Sequence, residues 1–104
     1  MSDLEGLARD YRVAFLRYLP QRGEAALTIA YELGRTALDT KVSLLHVAKM
    51  HHDVLSEVLD DTPSDQLRDV ATAASEFLLE VLATFDMAQR GLFADDPDAH
   101  TDKA

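Results

Sequence analysis

The chain has 104 residues, with 10 basic and 19 acidic side chains, a formal net charge of −9 and no cysteine. That length makes one domain, burying roughly 65% of the surface its unfolded form exposes, and the lack of cysteine excludes disulfides and thiolate metal sites and fits a reducing compartment. The acid is concentrated late, −5 over residues 60–94 and −3 over 95–104, and no Lys/Arg cluster could neutralise several phosphates, so nucleic acid and an anionic membrane surface are poor partners.

The acid surplus leaves two readings open, simple solubility and a basic protein partner. The opening residues, MSDLEGLARD, contain no apolar run of the signal-peptide kind, and no stretch approaches the roughly 20 apolar residues of a transmembrane helix. The expectation is a soluble, cytoplasmic protein.

Four helices are predicted in succession, with no strand-like alternation and no internal repeat. Ser2 as N-cap and Glu5 at N3 form a capping box for the first, whose stripe is Leu4, Leu7, Tyr11, Ala14, Phe15 and Tyr18. Leu19 and Pro20 end it. After a turn at Gly23, Ala26, Ile29, Ala30, Leu33 and Ala37 form the buried stripe of a second helix ending near Thr40, and its small residues should allow close helix approach.

Ser43 caps a third helix with the stripe Leu44, Val47, Ala48, His51, Val54, Leu55 and Val58. Asp60 and Asp61 lie in the next turn, where Thr62 as N-cap, Pro63 at N1 and Asp65 at N3 mark the start of a fourth helix reaching about Gly91 as C′ residue. At 1.5 Å per residue this helix is about 40 Å long against about 25 Å for the others, so its last turns should overhang the bundle.

Within the fourth helix, residues 75–90 carry too much apolar surface for one face. Phe77, Leu78, Val81, Leu82 and Phe85 share one broad arc at 100° per residue, a normal core stripe. Leu79 and Ala83 fall outside it, on a second strip with Thr72, Glu76 and Arg90. A helix with two apolar faces has two packing partners. The tail Ala94–Ala104 has four Asp residues and no apolar period and is expected to be disordered, which divides the chain into a helical domain over 1–93 and an acidic tail over 94–104. Short loops favour an antiparallel four-helix bundle of the all-α class.

Catalytic and metal signals are weak. His46, His51 and His52 lack the i, i+4 spacing of paired ligands, and no HExxH motif occurs, so no metal and no cofactor is expected. His51 falls on the apolar stripe and reads as a hydrogen-bonded core histidine, with His46 and His52 solvated. An exposed His52 on a helical bundle also raises histidine phosphotransfer, although no Lys and Gly follow it to steady a phosphoryl group. There is no GxSxG and no glycine-rich phosphate loop, and the expectation is a non-enzyme. Surfaces remain. On the second helix Glu24, Thr28, Tyr31 and Arg35 form one outward stripe, which is either a solvated face or a binding surface, since Tyr and Arg give large contact area with a polar tip.

Taken together, Arg17-Tyr18-Leu19, Ala30-Tyr31-Glu32-Leu33-Gly34-Arg35, His51-His52-Asp53-Val54-Leu55 and Phe85-Asp86-Met87-Ala88 resemble the N-terminal domain of RsbU-type phosphoserine phosphatases, over about residues 5–92. The resemblance implies bacterial stress signalling upstream of an alternative sigma factor, a four-helix fold similar to the C-terminal domain of the clock protein KaiA, a homodimer, and a switch kinase of the RsbT type as partner. It also implies partner recognition by a Glu and an aromatic on the second helix and two apolar positions one turn apart on the last. Glu24 matches the Glu, and Leu79 and Ala83 match the apolar pair. Thr28 stands where the aromatic is expected, with Tyr31 one turn away. The PP2C-type catalytic domain that follows in such proteins is not in this sequence, which points to a free-standing adaptor or to a fragment of a longer signalling protein.

Overall fold

The computed structural model describes residues 3–94, with the side chains of residues 4–91. The described residues are all-α: α1 (Asp3–Tyr18), α2 (Glu24–Asp39), α3 (Leu44–Asp60), a single 3-10 turn over Ser64–Gln66, and α4 (Leu67–Ala94). Four helices therefore form where the 3.6-residue apolar period placed them. The capping box at Ser2 and the acidic tail from residue 95 onward lie outside the described residues.

The core is organised around Phe77, which has no solvent exposure. Its ring meets Tyr11 at 5.3 Å, Phe15 at 5.4 Å and Tyr18 at 5.6 Å, so one residue of α4 collects three rings presented by α1 at three- and four-residue spacing. Edge-on geometry of the first two puts ring hydrogens against ring faces, worth about 0.5–1.5 kcal/mol per pair beyond the area buried. Val47, Met50 and Val54 of α3 and Ala73, Ala74 and Val81 of α4 complete the interior.

α2 packs most extensively on α4 and next on α1. Its inner side is built of small residues, Ala30, Gly34 and Ala37, all buried. At Gly34 the two backbones nearly touch, and a Cβ there would run into the carbonyl of Val81 and the hydroxyl of Thr84. Glycine inside a helix costs about 1 kcal/mol relative to alanine, and here that cost admits a closer approach than any other residue allows. Arg22, just before α2, bonds Asp69 and Glu76, and Gly34 further along abuts Val81 and Thr84. α2 and α4 thus lie side by side with the same chain direction.

Helix ends follow local chemistry. The Ser43 hydroxyl accepts from the His46 amide at 3.1 Å, the N-cap expected of it. α2 stops in a Schellman arrangement: the amide of Val42 donates to Ala37 and that of Lys41 to Leu38, with Lys41 at φ 62°. Thr62 does not cap α4. Its hydroxyl donates back to the Val58 carbonyl at 2.6 Å, Pro63 is extended, and the chain enters α4 through the 3-10 turn instead. Gly91 is also not a C′ residue, because α4 continues through it to Ala94.

Three predicted core positions are exposed: Ile29, Leu44 and Ala48. The reason is geometric. α2 turns its alanine side rather than its isoleucine inward, and the first turn of α3 lies at the end of the bundle, where Leu44 and Leu45 have little to cover them. Met50, absent from the predicted stripe, is buried in their place. Beyond the half-buried Phe85, residues 86–91 of α4 are exposed on every side, so the helix does overhang the bundle.

Candidate functional site

The outward stripe of α2 is exposed at Glu24, Thr28 and Arg35, whereas Tyr31 is half-buried. Tyr31 is therefore not a purely solvated side chain. It leans to α4, and its hydroxyl donates to the sulfur of Met87 at 3.7 Å. The Thr28 hydroxyl is turned back onto the helix and donates to the Glu24 carbonyl at 2.9 Å.

On α4, Leu79 stands out, 67% exposed for a leucine. Ala83, one turn on, is half-buried at the margin of the strip, and Met87, one turn further, is 57% exposed. Leu79, Ala83 and Met87 recur at four-residue spacing and fall on one face. Because Tyr31 touches Met87, that face adjoins the α2 stripe.

The two helices meet again at the other end of this surface. Tyr18, Arg22, Gly23, Glu24, Leu27 and Glu76 line an open hollow of about 450 Å³. One wall is an ionic cluster. Arg22 donates from Nε and Nη2 to Oε1 of Glu76 at 3.2 and 2.6 Å and from Nη1 to Asp69 at 3.0 Å, and the Tyr18 hydroxyl adds a bond to the same Oε1 at 3.0 Å. The bonds from Arg22 and then Tyr18 hold the Glu76 carboxyl below its usual range. Glu24, across the hollow, has no ion-pair or hydrogen-bond partner for its carboxylate among the described residues.

The structure thus gathers Glu24, Tyr31 and the Leu79–Ala83 strip into one two-helix surface and leaves Thr28 occupied with its own backbone. Sequence reasoning did not find Met87, Arg22 or Tyr18 as parts of it. Met87 was findable from its four-residue spacing to Ala83. The Arg22 cluster joins residues 47 and 54 apart and leaves no local signal.

The histidines lie elsewhere. His51 is buried, with Nδ1 2.8 Å from the Tyr11 hydroxyl and its ring 5.5 Å from Phe15, the core role expected of it. Burial, and then the neighbouring His52, lower its pKa. His46 and His52 are exposed. Among the described residues no cluster of His, Asp and Glu could hold a metal ion, and no helix is long and apolar enough to cross a membrane.

The described residues form an all-α domain with an exposed apolar and polar face spread over two adjacent helices. Residues 9–88 match the family model described as phosphoserine phosphatase RsbU, N-terminal domain, and the chain belongs to that family. No curated protein and no solved structure matches it. Membership makes it a regulatory N-terminal domain, distinct from the phosphatase domain of such proteins.

Proposed function

We propose that the domain is a docking module of bacterial stress signalling, whose α2–α4 face binds a switch kinase of the RsbT type and which forms a homodimer. The continuity of the face carries this reading. The α2 stripe and the α4 strip meet at the hollow below and at Tyr31 and Met87 above, with Leu79 67% exposed between them. Apolar area comes from Leu79, Ala83 and Met87, and Glu24, Tyr31 and Arg35 fix orientation by polar contacts. The anchors at the centre of such a patch carry most of its affinity.

The test is Leu79→Asp with purified kinase in a calorimetric titration. Binding is lost while the circular dichroism spectrum and melting temperature hold, because the side chain supports nothing in the core. Unchanged affinity would remove the α4 strip from the docking surface. Sedimentation equilibrium tests the dimer, which should show twice the 11.5 kDa of the chain. A monomer mass at all concentrations would remove the homodimer.

A further inference from the structure

We infer that Met87 is a reversible oxidation site, at which the Tyr31 hydroxyl masks one face of the sulfur so that a hydroperoxide forms predominantly one of the two sulfoxide epimers. The modification stands on Met87 and Tyr31 alone, and its effect on a partner rests on the docking reading above.

Exposure selects the sulfur. Of the three methionines in the chain, Met1 lies outside the described residues, Met50 is 8% exposed within the core and Met87 is 57% exposed. Oxidation of a thioether follows access, so a peroxide reaches Met87 first. Residues 86–91 of α4 are exposed on every side, and a polar sulfoxide there displaces no core packing.

Tyr31 makes this more than an accessible sulfur. Its hydroxyl donates to Sδ of Met87 at 3.7 Å, across from α2, and Tyr31 is itself half-buried and so restrained in its own placement. A thioether sulfur is a weak acceptor with two lone pairs, which become the two chiral positions of the sulfoxide. Tyr31 engages one and leaves the other open. The open pair attacks one oxygen of hydrogen peroxide: the S–O bond forms, the O–O bond breaks, and the departing hydroxide takes the proton of the transferred oxygen and leaves as water. Sulfur loses two electrons and the peroxide gains them. The way back needs a reductase specific for that epimer, whose two thiols become a disulfide as the oxygen departs in water.

The consequence falls on the docking strip. Met87 continues the line of Leu79 and Ala83 and supplies adaptable apolar surface, whereas a sulfoxide oxygen seeks hydrogen bonds that an apolar contact does not provide.

The test uses the protein isotopically labelled in its methionine methyl groups, treated with hydrogen peroxide and followed by methyl resonances and peptide masses. Met87 should gain one oxygen at least about tenfold faster than Met50. One sulfoxide methyl signal should dominate, removable by one of the two epimer-specific reductases, and Tyr31→Phe should bring the two epimers toward equal amounts. Met50 keeping pace with Met87, equal epimers in the unaltered protein, or an unchanged ratio in Tyr31→Phe would overturn the proposal. Kinase titrations on the same samples separate the two readings. Oxidation should weaken binding roughly tenfold, the matching reductase should restore it, and in Met87→Leu peroxide should change nothing. Equal binding before and after oxidation removes the effect on docking, and a kinase that ignores the unoxidised protein removes the docking reading while the epimer ratio still decides the oxidation site.

Discussion

The hydroxyl of Tyr11 and Nδ1 of His51 lie 2.8 Å apart inside the core, tying α1 to α3 through two polar atoms that have no other partner among the described residues. A neutral imidazole with its proton on Nε2 accepts the Tyr11 O–H at Nδ1, and burial holds that phenol well above its ordinary pKa, so it remains a donor.

Stability should fall on mild acidification because of this pair. The His51 pKa is lowered in the folded state, so below the ordinary value of 6.5 the unfolded chain takes up a proton that the folded chain resists. Its neutral form contributes fully above pH 6.5, and that contribution is lost as pH falls toward the folded value. Urea titrations between about pH 5 and 8 check this. The midpoint is flat at the upper end and drops at the lower, and His51→Met flattens the drop; an equal slope in the variant would assign it to other groups.

Tyr11→Phe should destabilise the domain by about 1–3 kcal/mol, because it leaves a buried ring nitrogen without a hydrogen bond while changing the packed volume little. Denaturant unfolding gives the number. A loss of only a few tenths would mean that water reaches Nδ1.

Gly34→Ala and Gly91→Ala should have opposite signs. The first forces a methyl group onto the Val81 carbonyl, which is backbone and cannot rotate away, and costs about 1–3 kcal/mol despite the better helix propensity. Gly91 meets nothing within 4 Å, so alanine there should leave the fold intact and gain up to about 1 kcal/mol. Melting temperatures of the pair decide it.

Lys41→Gly should stabilise the protein by about 0.5–1 kcal/mol. Lys41 holds φ at 62° to close the end of α2, a conformation in which its Cβ crowds the following carbonyl. Glycine relieves that crowding, less its own loss of chain entropy. A lower melting temperature would show that the lysine side chain contributes more than its backbone costs.

Much of this domain was legible in its sequence because helices announce themselves locally. The spacing of Tyr11, Phe15 and Tyr18 placed three rings on one face, and Ser43 identified its cap. His51 could be assigned to the core from its place in the stripe. What failed had a common physical cause: a helical wheel says which residues share a face and not which face meets a neighbour. Apolarity and helical spacing together put Ile29 and Leu44 inside, where the structure exposes them, while Thr84, polar by composition, is buried against Gly34, its hydroxyl satisfied by the Val81 carbonyl at 2.8 Å. The Leu79 strip was visible as surplus apolar area. The hollow was not, since its walls come from three helices and its ionic cluster from distant positions.

The near-contact of backbones at Gly34 also bears on the thermodynamics of recognition. Flexible surfaces surrender conformational freedom when a partner arrives, and that loss is subtracted from whatever their contacts gain. α2 and α4 are held in close contact at Gly34, against the Val81 carbonyl and the Thr84 side chain, so the helix backbones that carry Glu24, Tyr31 and Leu79 are set relative to one another before any encounter. A partner docking on the proposed face would meet a ready-made template.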